Sequence, residues 1–443
     1  MLISFKLANW MSFKEEVNFS MVATKERQHG ERIPAIKKYQ TRILPIAAIY
    51  GGNASGKTNF FKALHFARRL IIEVTQPESI IPLETFRLDS KAYDQPAFFS
   101  FELFINKLIY DFSFSVTKKA IIEEKLIEIT SSSERILYHR KNGKINFDSS
   151  LKENKFLDFV FKGTRDNQLF LTNSVSQKVD NFRPVYDWFR NNLVLIAPDS
   201  RFGAIEQFFD VGNPLCSAMN ESLHLLDTGI TRLGGEEMSL DNIPFTEVTK
   251  KRFQEEIKEG QSFTFPIPFR DEPLVISKKK GELKVKKIVT YHSNIDGTET
   301  KFDIKLESDG SRRVIDLLPA FLTISEPSSN KIYVIDELDR SLHTLLTRQL
   351  LELYLSNCSV NTRSQMFFTT HDVQLMDQEL FRRDEMWVAE RNAFGNSTLI
   401  PFSNYKEVRY DKDIRKSYLQ GQMGGIPRIV TNSLLINSQL NKN

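Results

Sequence analysis

The chain has 443 residues, of which 41% are hydrophobic and 26% charged, an ordinary globular composition with room for two or three lobes. A net charge of +4 does not by itself argue for nucleic acid, and no stretch approaches the ~18 apolar residues of a membrane span. Only Cys216 and Cys358 are present, without metal-type spacing, so a disulfide scaffold is excluded and reduced thiols in a cytosolic protein are expected.

Met1 to Met21 holds two alternating apolar stretches, Leu2 to Leu7 and Val17 to Met21, joined by a turn at Asn9 to Lys14. The opening residues lack a signal-peptide core and read as a first strand. Met21 to Lys38 is polar and reads as irregular. The apolar run Ile43 to Tyr50 then predicts a buried strand, and Asn59 to Leu70 a helix. Between them Gly51, Gly52, Asn53, Ala54, Ser55, Gly56, Lys57 and Thr58 fit the pattern G-x-x-x-x-G-K-[ST], with Asn59 continuing into the helix. Glycines let such a loop wrap a phosphate, so that successive backbone N–H groups point at its oxygens. Lys57 reaches the terminal phosphates, Thr58 offers a hydroxyl to Mg²⁺, and the helix N-terminus favours the anion. The flanking strand and helix favour nucleotide binding over a plain glycine-rich turn.

From Phe86 to Phe147 the runs are short and period-two: Phe98 to Ile105, Leu108 to Val116, Ile121 to Ile129 and Arg135 to His139, with turn signals such as Asn142-Gly143. They predict an antiparallel meander in the same lobe, and the 35 phenylalanines suit a Phe-rich core there. Residues 150 to 290 look more helical and variable, with a strand-like Gln168 to Thr172, a short strand Leu193 to Ile196, and a charged helix Thr246 to Gly260. Lys278 to Lys287 reads as a basic hairpin; its six lysines can contact nucleic-acid phosphates, but without arginine or many aromatics a solvated hairpin is the plainer reading. Periodicity returns as helices at Gly310 to Leu322 and Ser341 to Leu355, and as strands at Lys331 to Ile335, Gln365 to Thr370 and Glu385 to Glu390. Asn437 to Asn443 is expected to fray.

The strand at Lys331 ends in two carboxylates, Asp336 and Glu337. Facing a phosphate loop, Asp336 is placed to hold Mg²⁺ and Glu337 to polarise the attacking water; alone, such a pair would read as a solvated strand end. Glu307-Ser308-Asp309-Gly310-Ser311 opens a helix, with Ser308 as its cap and the N-terminus aimed at an anion. Arg312 and Arg313 follow, able to reach phosphate or a partner carboxylate, or to lie on a surface face. Thr369-Thr370-His371-Asp372 closes the next strand and places the His371 imidazole for a γ-phosphate contact.

The order of phosphate loop, serine-glycine helix start, Asp-Glu strand and histidine strand resembles the ATP-binding cassette class, in its soluble branch with RecF, SMC and OLD-type ATPases. That resemblance implies an α/β P-loop NTPase fold, a two-lobed head with a mixed sheet and an antiparallel meander. It also implies ATP and Mg²⁺ as ligands, and a homodimer in which Ser308 and Gly310 of one copy cap the nucleotide of the other. Asp339 would be the D-loop residue, His371 the switch histidine, and Gln177 (with Gln168 second) the glutamine that senses γ-phosphate and metal. His343 lies beside the D-loop, where a structural role and a dimer contact are both open.

A narrower group resembles more of the chain: the single-chain AAA-type ATPases of bacterial defence and abortive-infection operons. Asn9-Trp-Met-Ser-Phe-Lys, Ala47 to Asn59, Asp336 to His343, and Tyr418-Leu-Gln-Gly-Gln-Met-Gly-Gly-Ile-Pro carry that likeness. Where Glu-Ser-x-Gly-Thr is the familiar signature, Ser311 stands here and keeps the hydroxyl. No long heptad insertion lies between Thr58 and Glu307, which argues against a coiled-coil arm. No further carboxylate cluster follows His371, so a fused nuclease is not expected and a separately encoded effector is. Three segments are expected: 1–150 with the loop and meander, a variable insertion at 151–300, and a C-terminal lobe at 301–443. The rival readings are a RecF-like DNA-repair clamp and a non-turnover, ATP-bound scaffold that stores a toxin.

Overall fold

The computed structural model describes residues 1–200, 205–210, 212–239, 243, 245–266, 273–405 and 413–426; Asn437 to Asn443 lie outside the described residues. In chain order the first segment forms β1 (Leu2–Ala8), β2 (Val17–Ser20), β3 (Ala35–Ile36), β4 (Thr41–Arg42), β5 (Ile46–Tyr50) and α1 (Lys57–Ile72). A short α2 (Ser90–Tyr93) leads to the meander β6 (Ala97–Ile105), β7 (Leu108–Val116), β8 (Ile121–Ile129), β9 (Glu134–Lys141) and β10 (Lys144–Phe147). Next come α3 (Lys155–Lys162), α4 (Phe170–Ser176), α5 (Arg183–Asp187), β11 (Leu193–Ile196) and α6 (Pro214–Leu225). They are followed by β12 (Arg232–Met238), α7 (Glu247–Glu256), β13 (Ser262–Pro266), β14 (Pro273–Lys279), β15 (Glu282–Ser293) and β16 (Glu299–Asp303). The rest is α8 (Asp309–Ile324), β17 (Ile332–Ile335), α9 (Thr344–Ser356), β18 (Gln365–Thr369), β19 (Met386–Arg391), β20 (Ser397–Pro401) and α10 (Ile414–Leu419).

The expected meander forms, and β1 and β2 extend it into a seven-stranded antiparallel sheet of order β10-β9-β8-β7-β6-β1-β2. A second sheet, of order β11-β17-β18-β5-β19-β20, is parallel except for its β20 edge. Its strands come from all three sequence segments: β5 from the first, β11 from the second, and the others from the third. Alternation along β5 shows why both faces are dry. Ala47 and Ile49 join the core shared with α1 and the antiparallel sheet, while Ile46, Ala48 and Tyr50 join the core under α8 and α9. This is an α/β P-loop fold, with no helix among the described residues long and apolar enough to cross a membrane.

The phenylalanines cluster where the two sheets meet α1. Phe60 of α1 lies 5.6 Å from Phe5 and 5.1 Å from Phe19 between ring centroids, and Phe19 lies 4.9 Å from Trp387. One polar side chain also stitches the sheets together. The fully buried Gln365 accepts from Leu2 N at 2.6 Å and donates to Leu2 O at 3.0 Å and to Leu44 O at 3.1 Å.

The strand expected at Gln168 to Thr172 is instead the start of helix α4. The cause is Glu124, a buried carboxylate on β8 that accepts from Phe170 N at 2.7 Å and Leu171 N at 2.9 Å. An anion on the free N–H groups of a first turn favours helix over strand. The helix expected from Ser341 begins at Thr344, with the His343 Nδ1 accepting from Leu345 N as its cap.

A third sheet, β12-β15-β14-β13 with β16 pairing the later half of β15 beyond the end of β14, contains the basic hairpin, turned at Lys280-Gly281. Its lysines are mostly engaged within the chain. Lys279 pairs with Asp210 at 3.0 Å, Lys286 with Glu206 at 3.3 Å, Lys284 with Glu237 at 3.4 Å and Lys287 with Asp303 at 2.6 Å. Lys278 donates to Gln254 O at 2.7 Å. Such a face is neutralised locally and offers little free charge to a polyanion.

Replacing Gln365 by Leu keeps its volume but strands one N–H and two carbonyls in a dry interface. We expect Gln365→Leu to lose about 2–4 kcal/mol of unfolding free energy in a urea titration. A loss under about 0.5 kcal/mol would show that the two sheets hold together without it.

Candidate nucleotide site

Three strand ends lie side by side at the carboxyl edge of the parallel sheet, because Ile335 pairs with Phe368 and Phe368 with Ala48. Open α/β sheets bind ligands at this edge. The loop Gly51 to Gly56 leaves β5 there and enters α1 at Lys57. Gly51 has φ +152°, and a Cβ on it would lie 2.5 Å from Ala389 O; Gly56 has φ +113°, and its Cβ would lie 2.6 Å from Ser397 Oγ. Only glycine fits either place. Gly52 N donates to Gly425 O at 2.8 Å, so the C-terminal Gly424-Gly425 stretch buttresses the loop.

The first turn of the chain grips the other side. Trp10 Nε1 donates to Asn59 O at 2.9 Å, Asn59 Nδ2 donates to Ser12 Oγ at 2.8 Å, and Ser397 N donates to Ser12 O at 2.7 Å. Lys57 is buried, with its Nζ 2.7 Å from Gly51 O and 3.1 Å from Gly52 O. Burial pulls its pKa down to about 8 against the opposing pull of Asp336, Asp339 and Glu337. An anion beside it would restore the full charge.

One hydroxyl sets the register of the carboxylate pair. Thr369 Oγ1, at the end of β18, donates to Asp336 Oδ1 at 2.6 Å and accepts from Glu337 N at 2.8 Å. Leu338 N donates to Thr369 O at 3.0 Å, so the turn stays zipped to β18. Glu337 itself has φ +51°, which turns its side chain into the cleft. Asp336 Oδ2, Asp339 Oδ1 and Ser55 Oγ are buried with no hydrogen-bond partner among the described residues. Orphaned carboxylate oxygens and an ammonium at one strand edge fit a magnesium-phosphate ligand: Lys57 and the loop N–H groups for phosphate, Thr58 and Asp336 for the metal.

His371 Nδ1 stands 3.4 Å from Lys57 Nζ, and burial first, then the Lys57 charge, holds its pKa below the ordinary histidine value. Its backbone N makes a long 3.4 Å contact to Asp339 Oδ2. Loop, Glu337 and His371 line one cleft of about 860 Å³, walled further out by Met11, Phe86, Arg87 and Arg391.

Two groups of expected site residues lie elsewhere. Ser308 and Gly310 begin α8, where Ser308 Oγ accepts from Ser311 N at 3.0 Å; both are outside the chain's own cleft. The start of α8 abuts the turn that follows the Asp-Glu pair, since a Cβ on Gly310 would lie 3.0 Å from Ser341 O. Gln177 is exposed at the C-terminal end of α4 and does not line the cleft, and Gln168 is buried away from it. Chain order alone had singled Gln177 out. The strand beside β17 is β11, and the turn at its carboxyl end carries Pro198 and Asp199 instead. Asp199 pairs with Arg340 at 2.8 Å, while the buried Arg313 donates to Pro198 O at 3.1 Å and Glu337 O at 3.3 Å. Arg313 therefore faces inward and braces the Asp-Glu turn.

Thr369→Val removes the shared hydroxyl without changing shape. Turnover of ATP should fall roughly ten- to hundred-fold while affinity for a fluorescent ATP analogue holds within about three-fold. Unchanged turnover would mean that the carboxylates keep their register by other means.

The model of a family described as "AAA domain, putative AbiEii toxin, Type IV TA system" matches residues 46–377, from β5 to just past His371. No curated protein matches this sequence. Among solved structures the chain is similar to the SMC head domain from Thermotoga maritima, at 13% identity and a TM-score of 0.35, over 90% of this chain and 98% of that one. It is likewise similar to an SMC head bound to the C-terminal winged-helix domain of ScpA, at 12% identity and a TM-score of 0.37, over 90% and 96%. With a phosphate loop, a metal-ready carboxylate pair and a histidine assembled inside the matched span, the chain belongs to this AAA family of P-loop ATPases.

Proposed function

We propose that the chain hydrolyses ATP at this cleft, pairs head to tail with a second copy around ATP·Mg²⁺, and through that cycle regulates a separately encoded effector, in anti-phage defence. The observation that carries the reading is the position of Ser308. A helix start capped by Ser308 sits exposed outside its own cleft, which supports its capping a nucleotide held by another chain.

Within the cleft the geometry supports the following division of labour. Lys57 and the loop amides would hold the phosphates, and Asp336, fixed by Thr369, would offer its free oxygen to Mg²⁺. Mg²⁺, when bound, neutralises charge between the terminal phosphates. Glu337 takes the proton of a water whose oxygen bonds to the γ-phosphorus while the bond to the β-phosphate oxygen breaks, releasing ADP. His371, kept neutral by burial and by Lys57, offers a hydrogen bond to the γ-phosphate. Closure neutralises a polyanion between a loop and a second helix dipole, and loss of the γ-phosphate weakens it. The defence role is supported by the family description, which names a putative AbiEii toxin and a type IV toxin–antitoxin system, and by the likeness to single-chain ATPases of abortive-infection operons.

Light scattering on Glu337→Gln tests the sandwich: its mass should double on adding ATP·Mg²⁺ and return on dilution into nucleotide-free buffer. A mass that is already multimeric and indifferent to ATP would favour the standing scaffold instead. For the biological task, Lys57→Ala in the native operon should abolish protection against phage plaquing; full protection from that variant would sink the defence reading.

A further inference from the structure

The third sheet has no part in the chemistry above, yet it holds the residue immediately before Ser308. The Glu307 side chain is only 7% exposed, and its Oε1 receives two donors from β15: the Thr290 hydroxyl, and His292 Nε2 at 2.7 Å. Both donors are fixed by the sheet. Thr290 is fully buried, and the His292 ring packs edge-on against Phe302 of β16, 4.9 Å between centroids.

Resting on the reading that Ser308 caps a second copy's nucleotide, we propose that His292 and Thr290 are positioning residues for that contact. They hold the Glu307 carboxylate and so fix the start of α8 toward the partner's cleft. Neighbouring residues are tethered in opposite directions: Glu307 back to β15, Ser308 forward to Ser311 N. Glu307 and Ser308 are both extended, at ψ 152° and 156°, so the two tethers pull on one straight piece of backbone before the helix begins. Ser308 and Asp309 are themselves exposed, and the first turn of a helix frays without such an anchor. Misplacing a phosphate contact by about 1 Å lowers a rate on the order of a hundred-fold, so an anchor outside the site still governs turnover. The third sheet thereby becomes an input to the ATPase: what binds or bends β15 moves Ser308.

The test uses full-length chains. His292→Ala and Glu307→Ala should bind a fluorescent ATP analogue within about two-fold of wild type, while turnover falls roughly ten- to hundred-fold. Glu307→Gln keeps the acceptor oxygen and should recover most of the loss. The deciding measurement mixes His292→Ala, weakened as above, with Lys57→Ala, inactive alone. The mixed pair holds one site built from an intact cleft and an intact signature, so roughly a quarter of wild-type turnover should return if chains pair at random. Glu307→Ala replaces His292→Ala in the same mixture should the latter fail to fold. No recovery, when Ser308→Arg does complement Lys57→Ala, overturns the positioning role. Failure of Ser308→Arg to complement as well overturns the head-to-tail reading on which it rests.

Discussion

The parallel register of β17, β18 and β5 is the constraint on which the rest of the molecule depends. It sets the Asp-Glu pair, the histidine and the phosphate loop at one edge, although they come from residues 336–337, 371 and 51–58. The register is rigid because the sheet is dry on both faces, and a slip by one residue would send Ile46, Ala48 and Tyr50 into the wrong core. Thr369 refines this coarse alignment. As last residue of β18 it lies beside the end of β17, and its hydroxyl both donates to Asp336 and accepts from Glu337 N. Backbone pairing brings the groups near; one side chain brings them to hydrogen-bond distance.

Several conflicts with ordinary backbone preference fall at the same edge. Gly51, Ala54, Gly56, Glu337 and Ser341 all have positive φ, and Lys57 is an ammonium whose burial lowers its pKa. Left-handed backbone at residues other than glycine costs free energy, and so does a desolvated charge. The surrounding contacts offset it: Gly425 O on Gly52 N, Trp10 on Asn59 O, and Arg313 on the Glu337 carbonyl. Each support comes from a different part of the chain, so the site is held by the whole fold.

Much of this was legible in the sequence because the informative features are short-range. Gly51 to Thr58 carries its own geometry, and the apolar runs at Ile43 to Tyr50, Lys331 to Ile335 and Gln365 to Thr370 have a length and flanks that specify buried strands. The signature helix and the meander follow from periodicity in the same way. What escaped was set by distant partners. Residues 168–172 have apolar content that suits strand or helix equally, and a carboxylate on β8, more than forty residues earlier, decides for helix. Gln177 was a one-residue motif with no periodicity to test it, and it falls at the end of α4, outside the cleft. The roles of Thr369 and Arg313 needed side-chain geometry, since a threonine at a strand end and an arginine on a helix have many ordinary uses.

The third sheet shows how a charged surface can be read two ways until its partners are known. Six lysines in ten residues suggest a phosphate-binding face, yet Glu237 and Asp303 on neighbouring strands, and Glu206 and Asp210 from the segment before α6, meet four of them. Acids spread along the chain neutralise a basic stretch that is contiguous in sequence, and local salt bridges of this kind add little stability while removing free charge. The same sheet directs the buried Thr290 and the half-buried His292 to Glu307, one residue before the helix start that faces outward. Its chemistry is therefore directed inward, to the signature, and not outward to a polyanion. That arrangement suits a part that transmits strain to a nucleotide cycle better than one that holds nucleic acid.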